Sequence, residues 1–256
     1  MLYIQKQKCP AHIQADIDKR ISSKEWQSFP EKPSSAQAQA MRKNYFNRLN
    51  KSNIREALIS EQHGLCAYCM CRVVNAGGTT TIEHMMPLSK SKAGAMAYSN
   101  WLAVCKGGQN IEPEDGGRRI VCCDVKKSNT IAVLTPVNRE QMRWIAYCDD
   151  GTILHNSPSA EEKRALTDEI NSVYGLNGII EPKTGHSRKD TTTGIVKKRK
   201  DAYIAMYDLL MELYQTQQLT PEMIVAFRQS LLADSQWEPF VGVKLFVLDL
   251  FLETLA

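Results

Sequence analysis

The sequence TTTIEHMMPLS, residues 79–89, lies between two groups of cysteines, and its interpretation decides the fold. The threonines and isoleucine are typical of a short β-strand, which ends in an acid followed by a histidine, Glu83 and His84. Adjacent residues of a strand point to opposite faces, but at a strand end both side chains reach one site if the chain turns at Pro87. We therefore expect a functional site at the end of this strand.

Cysteines on both sides of the strand predict a metal site. Cys66 and Cys69 form a C-x-x-C pair, a spacing that lets two thiolates from one tight turn bind the same tetrahedral ion. Cys105 and Cys123 are the best second pair, because they bracket a polar, glycine-rich segment that can loop out. Cys122 is the alternative fourth ligand. Four thiolates leave no open position for water, so this structural zinc is expected to stabilise the fold without doing chemistry.

Composition and charge define the class of protein. The chain has 256 residues, of which 43% are hydrophobic, and this is enough for a buried core. Lys and Arg number 32 against 28 Asp and Glu, and the net charge of +4 favours an acidic partner only weakly. No apolar run reaches the roughly 20 residues of a membrane span, and the first residues do not resemble a signal peptide. We therefore expect a cytoplasmic protein that does not contact membranes and whose cysteines bind metal rather than form disulfides.

Helical patterns precede the cysteine-rich core. Ile13, Ile17 and Ile21 recur every fourth residue and predict an amphipathic helix. After a loop rich in proline and serine, two more helices are expected, one over 36–50 and one from a cap at Asn53 to a glycine stop.

The segment beyond the core is expected to be mainly helical. The dipeptide Asp150–Gly151 between two apolar runs predicts a β-hairpin. Ser159 and Glu162 predict a capping box at the start of a helix, and a further helix is expected over 201–214. The apolar stretch 240–256 is too short to span a bilayer and must be buried, either in this chain or against another protein.

The pattern as a whole predicts an α+β protein with three regions. These are an N-terminal helical and linker region over 1–52, a metal-binding core over 53–135, and a hairpin with a mainly helical region over 136–256.

In their order along the chain, the core motifs resemble those of the zinc-containing HNH endonucleases. The family pattern runs C-x-x-C, acid-His, a proline, Asn followed by Leu, Cys, and then Cys-His-x-x-Lys. The matching residues are Cys66, Cys69, Glu83, His84, Pro87, Asn100, Cys105, Cys123, Asp124 and Lys127. The chain departs from the pattern in three places: Trp101 follows Asn100 directly, the loop after Cys105 is longer, and Asp124 replaces a histidine.

This resemblance implies a zinc-stabilised ββα-metal fold that hydrolyses phosphodiester bonds. His84 would be the general base, because a neutral histidine near pH 7 is well matched to deprotonating water. Asn100 would orient His84 through a hydrogen bond. Glu83 and Asp124 would hold one catalytic Mg²⁺ or Mn²⁺ through hard oxygen ligands.

Two further residues are candidates for nucleic-acid contact. Lys127 is expected either to contact phosphate or to lie on a helix as a solvated residue, and Asn129 is a weaker candidate. A core of this kind recognises a phosphate and not a base, so DNA and RNA, tRNA included, both remain open as the substrate.

When the flanking segments are included, the chain resembles the HNH proteins of retron and Septu anti-phage systems, the PtuB type. The resemblance rests on the K-x-x-C-P start, ALISEQHGLCAYC, IEHMMPLS, CCDVKKSN, the YCDDGTI hairpin and the helical C-terminal region. It implies a toxic effector whose partners are a PtuA-type ABC ATPase and, in the retron version, a reverse transcriptase carrying its single-stranded DNA. Two alternatives remain: a stand-alone restriction-type HNH nuclease, and a non-catalytic zinc-stabilised module that binds nucleic acid or scaffolds a complex.

Overall fold

The computed structural model describes residues 1–113, 118–180 and 188–255, which form an α+β fold, as predicted. The helices are α1 (Ala11–Ile21), α2 (Lys24–Ser28), α3 (Ser35–Asn44), α4 (Lys51–Glu61), α5 (Lys92–Ala95), α6 (Cys123–Lys127), α7 (Arg139–Met142), α8 (Ala160–Ser172), α9 (Ile195–Gln215), α10 (Pro221–Leu231) and α11 (Val241–Leu255). The strands form antiparallel pairs: β1 (Thr80–His84) with β2 (Trp101–Cys105), β3 (Ile145–Tyr147) with β4 (Ile153–His155), and β5 (Ile179–Ile180) with β6 (Arg188–Lys189). Among the described helices, none is both long and apolar enough to cross a membrane.

The β1–β2 hairpin contributes to two separate hydrophobic cores. Trp101 and Ala103 belong to a core formed with α1, α2, α3 and α4. Leu102 and Val104 belong to a second core, formed with the first cysteine pair, β3, β4 and the C-terminal helices. This division follows from the strand itself, because alternate residues of a strand face opposite sides.

The outer edge of β2 is closed by a glutamine side chain. The Nε2 of Gln62 donates to the carbonyl of Ala103 at 2.7 Å, and its Oε1 accepts from the Ala103 N–H at 2.8 Å. The Ala67 N–H donates to the same carbonyl at 3.2 Å. Gln62 is only 4% exposed, and water therefore has little access to this edge of the strand. The glutamine side chain supplies the hydrogen bonds that the buried backbone groups need. The end of α4 is thereby fixed to the hairpin.

The third helix is shorter than the sequence predicts. The pattern predicts a helix over 36–50, but α3 ends at Asn44 and a 3₁₀ turn follows. The reason is aromatic packing at the helix end: the ring of Tyr45 lies 5.0 Å from that of Trp26, while Phe46 packs against rings of β1 and β2. These contacts draw the chain out of the helix.

The fourth helix begins earlier than predicted. The side chain of Asn50, not Asn53, caps α4, because Asn50 accepts a hydrogen bond from the Asn53 N–H at 3.2 Å. Both asparagines are good caps, so residue type alone does not distinguish them. The predicted glycine stop is confirmed, since Gly64 has a φ of +78° just beyond the helix.

The predicted β3–β4 hairpin is confirmed, with Gly151 in its turn at a φ of +83°. At the start of α8, Ser159 accepts from the Glu162 N–H as predicted. The carboxylate of Glu162 instead accepts from the hydroxyl of Ser157, so only one half of the predicted capping box forms.

Helix α9 begins at Ile195, six residues before the predicted start at Asp201. The carboxylate of Asp190 accepts hydrogen bonds from the N–H groups of Val196 and Lys197, at 2.9 and 2.8 Å. Asp190 is not in the usual capping position, which explains why local sequence rules miss it.

The apolar C-terminal stretch is buried within this chain. Helix α11 packs against α9, α10 and β3, and its residues Val243, Leu245, Val247 and Leu248 are all buried. The chain's own core thus accounts for the apolar character of residues 241–255.

The closed edge of β2 leads to a stability prediction. Replacing Gln62 with leucine should lower the free energy of unfolding by about 2 kcal/mol, because the buried Ala103 N–H loses its acceptor. Urea denaturation measures this change. Gln39→Leu, at an exposed position of α3, is the matched control and should change stability by no more than about 0.5 kcal/mol. Equal effects of the two substitutions would contradict the role assigned to Gln62.

Candidate functional site

The four cysteines predicted to bind zinc lie together. The Sγ atoms of Cys66, Cys69, Cys105 and Cys123 are all within 4.8 Å of one another, and three of the pairs are 3.6 to 3.9 Å apart. Tetrahedral zinc with Zn–S bonds of about 2.3 Å places its sulfur ligands about 3.8 Å apart. The four thiols are free, and their arrangement fits a structural zinc ion.

The first pair of ligands lies in a tight turn. The Cys66 N–H donates to the Cys71 carbonyl at 2.8 Å, and the Met70 N–H donates back to the Cys66 carbonyl at 3.0 Å. The Cys105 N–H donates to the Sγ of Cys66 at 3.3 Å. This hydrogen bond connects the turn to the end of β2 without the help of a metal ion.

The cluster favours Cys123 over Cys122 as the fourth ligand. Cys123 has a φ of +57°, in the left-handed region that residues with a side chain rarely adopt. Such a conformation costs on the order of 1 kcal/mol and persists only where the surroundings enforce it. Cys122 is fully buried beside the cluster, with its Sγ 3.7 Å from that of Cys123 and 3.9 Å from Thr193 Oγ1.

A glycine allows the loop after β2 to approach this second pair. The Cys122 N–H donates to the Gly107 carbonyl at 3.0 Å. Gly107 has a φ of +54°, and a Cβ at this position would lie 1.9 Å from the Cys122 carbonyl oxygen. Only glycine fits there without moving the cysteine backbone.

An open groove of about 480 Å³ lies at the end of β1. Glu83, His84 and Asp124 all line it. As predicted, Glu83 and His84 point to opposite faces of the strand: Glu83 meets Lys127 of α6, and His84 meets Phe46 of the N-terminal core.

The His84 ring is held in one orientation. Its Nε2 lies 3.0 Å from the Ala95 carbonyl, and because a carbonyl only accepts, Nε2 carries the hydrogen and Nδ1 is the basic nitrogen. The ring packs edge-on against Phe46, with centroids 4.4 Å apart. Burial lowers the pKa of His84 to about 3, with a smaller contribution from the positive charges of Lys51 and Arg42. The imidazole is therefore neutral at pH 7.

The hydrogen bond predicted between Asn100 and His84 is wrong. Within the described chain, the Asn100 amide donates to the carbonyls of Met86 and Gly94, both at 2.9 Å, and accepts from the Met86 N–H at 2.8 Å. Asn100 immediately precedes β2, and its side chain therefore reaches past the end of β1. It positions His84 only indirectly, by holding the loop that carries Ala95.

The solvated position predicted for Lys127 is wrong, and contact with phosphate, the other role, stays a prediction. Lys127 is 1% exposed, and its Nζ lies 2.7 Å from Oε1 of Glu83 and 3.3 Å from the His84 carbonyl. Helix α6 has only five residues, and its last residue turns inward beneath β1. Lys127 therefore binds Glu83 and not solvent.

A tyrosine that sequence reasoning missed also reaches Glu83. Tyr68 is fully buried in the C-x-x-C turn, and its hydroxyl lies 3.5 Å from Oε1 of Glu83. Its position between two zinc ligands was the signal that could have found it.

The surroundings of the Glu83 carboxyl disfavour its charged form. Burial and, after it, the neighbouring Asp124 carboxylate raise the Glu83 pKa to about 8, although Lys127 acts in the opposite direction. Asp124 is half-buried and lines the groove. Two carboxylates thus lie together where water has limited access.

Polar and cationic side chains make up much of the remaining lining. Asn129, one of the predicted nucleic-acid contacts, is exposed there. Sequence reasoning missed the groove's cations, which lie far from the core motifs in sequence or on the loop after β2; these are Arg42, Lys51, Arg55 and Lys106.

No protein-family model matches this chain, and no curated protein matches it in sequence. The groove and the thiol cluster are therefore the basis for inferring a function.

The thiol cluster predicts the metal content of the protein. We expect one zinc ion per chain, bound by thiolates. Cys123→Ser should lose both zinc and fold, because a buried four-ligand site does not tolerate the loss of one ligand. Cys122→Ser, its matched neighbour, should retain zinc. Elemental analysis with circular dichroism measures both, and the reverse pattern would make Cys122 the ligand.

The close approach at Gly107 predicts a backbone effect on the same site. Gly107→Ala should displace the Cys122–Cys123 backbone and lower stability by about 3 kcal/mol, with weaker zinc retention against a chelator. Gly78→Ala is the control, because a Cβ there meets nothing within 4 Å. Equal chelator resistance of the two variants would disprove the steric argument.

Proposed function

We propose that this chain is a divalent-metal-dependent nuclease of the HNH type, which hydrolyses phosphodiester bonds in the groove beside its structural zinc. The observation that carries the proposal is the convergence of Glu83, His84 and Asp124, from β1 and α6, on one groove. Four thiolates would satisfy a zinc ion by themselves, which would leave these three side chains available for chemistry.

The carboxylates of Glu83 and Asp124 fit a hard divalent cation such as Mg²⁺ or Mn²⁺. Carboxylate oxygens are the ligands that these ions prefer, and the mutual repulsion that raises the pKa of Glu83 would be relieved by a cation. When bound, the ion would neutralise charge on the phosphate and on the leaving oxygen.

His84 is suited to accept a proton from the attacking water. Its Nε2 is held by the Ala95 carbonyl, which leaves Nδ1 as the accepting atom. Burial and nearby cations disfavour the charged ring in the free protein. A phosphate bound in the groove would offset those cations and raise the His84 pKa, so that the ring becomes a better base when substrate is present.

Lys127 and Asn100 act as positioning residues in this scheme. Lys127 holds the Glu83 carboxylate by a buried ion pair, and Asn100 holds the loop whose Ala95 carbonyl orients His84. Neither residue needs to touch the substrate.

The observations favour a nuclease over a purely structural zinc module. A module that only bound nucleic acid or scaffolded a complex would need neither a neutral, oriented histidine nor two adjacent carboxylates. The role as an anti-phage effector, with its ATPase and reverse transcriptase partners, rests on the sequence resemblance and remains a prediction.

The proposal is tested by removing the base. His84→Ala should reduce cleavage of DNA or RNA by about a hundred- to ten-thousand-fold, while zinc content and folding are retained. His12→Ala, at an exposed position of α1, is the control and should cleave normally. Full cleavage by a folded, zinc-loaded His84→Ala protein would remove the mechanism.

The carboxylates should fail for a different reason. Glu83→Gln and Asp124→Asn should lose activity through weaker binding of the divalent ion, so that excess Mn²⁺ partly restores it. The same Mn²⁺ should not restore His84→Ala. Titrations of cleavage rate against metal concentration separate the two cases, and equal rescue of all three variants would contradict the assigned roles.

A further inference from the structure

Three cations of the groove come from helices outside the cysteine-rich core. Arg42 belongs to α3, and Lys51 and Arg55 belong to α4. The catalytic candidates, by contrast, lie on β1 and α6. The groove therefore combines a hydrolytic site with a cationic cluster built by the N-terminal helices.

Lys51 is the most constrained member of this cluster. Its Nζ donates to the Phe46 carbonyl and lies over the Phe46 ring, which in turn packs against the ring of His84. The ammonium is largely buried, and burial, followed by the charges of Arg42 and Arg55, lowers the Lys51 pKa to about 6. The charged form of Lys51 is therefore disfavoured in the free protein, and an anion bound beside it would stabilise that form.

Little negative charge compensates the cluster. Within the described chain Arg42 is exposed and makes no ion pair, and the Nε of Arg55 bonds to the neutral amide of Asn75 at 3.2 Å. Asp16 is the acidic group that acts on Lys51, but its carboxylate already accepts from Arg20.

The carboxylates of the groove do not fill this role either. The buried ion pair of Glu83 is with Lys127, and we have placed Glu83 and Asp124 around a metal ion. Cations that lie together and repel one another, without an acidic group of the protein to neutralise them, are typical of a site that binds an external anion.

We propose that Arg42, Lys51 and Arg55 form a phosphate subsite that binds the polynucleotide backbone at least one nucleotide away from the bond being cleaved. This inference rests on the proposed nuclease function and extends it to substrate binding. A single phosphate bound at the proposed metal site would not need these cations. A polynucleotide carries successive phosphates, so one of them can lie at the metal site while another contacts the cations. The subsite recognises charge and not base identity.

Fluorescence anisotropy with the full-length, zinc-loaded chain tests the subsite. The His84→Ala background prevents cleavage, and labelled single-stranded DNA, duplex DNA and RNA of about 20 nucleotides are compared in parallel. The groove variant carries Arg42→Gln and Arg55→Gln. The control carries Lys163→Met and Arg164→Gln, which remove the same charge from exposed positions of α8 outside the groove.

We expect the groove variant to bind the preferred polynucleotide about tenfold more weakly than the control at physiological salt. On a single strand, the dependence of log Kd on log salt should also become shallower by about 0.7 for each phosphate that the variant no longer neutralises. The control should keep the affinity and slope of its parent. Thermal melting shows that both variants are folded.

Two results separate this inference from the nuclease proposal. If the wild-type chain cleaves nucleic acid but the groove variant keeps the affinity and salt slope of its parent, the subsite is disproved and the nuclease stands. If binding depends on the groove cations but the wild-type chain with Mg²⁺ or Mn²⁺ cleaves none of the polymers, the subsite stands and the nuclease proposal fails. If binding depends on Arg42 and Arg55 for none of the polymers, the subsite is disproved.

Discussion

The convergence of four cysteine sulfurs from three separate segments is the constraint on which the remaining structure depends. The C-x-x-C turn follows α4, Cys105 ends β2, and Cys123 begins α6. Each segment also supplies or supports a groove residue next to its ligand: Tyr68 lies within the turn, and Asp124 follows Cys123 directly. A zinc ion bound to the four sulfurs would therefore also hold in place the residues that are their neighbours in sequence. The ion itself would have no open position for water.

The charged groups near the groove form two sets, which lie on opposite faces of β1. On one face of β1, Lys127 pairs with Glu83 under conditions of deep burial, where an isolated charge would be costly. On the other face, the His84 ring is neutral among aromatic side chains and near several cations. The strand end brings an anionic and a cationic environment to one opening, which is the arrangement needed to hold a cation and a phosphate together.

Local patterns predicted the parts of the site whose meaning depends on spacing. The cysteine pairs, the strand ending in Glu83 and His84, and the β3–β4 turn all follow from neighbours in sequence. The failures have two causes. Lys127 reaches back 44 residues to Glu83, a distance that local patterns do not cover. The aspartate that caps α9 is near in sequence but outside the usual capping position. The cations of α3 and α4 were missed because an amphipathic helix reveals which residues face solvent, but not which surface they share.

The β1–β2 hairpin presents one face to each hydrophobic core, and this has a consequence for how the molecule unfolds. Neither set of helices can detach without exposing apolar residues such as Trp101 or Leu102, whose backbones are held in the same two strands. Loss of one core therefore removes support from the other. The two halves share a single cooperative unit, and local opening is confined to segments that contact only one face of the hairpin.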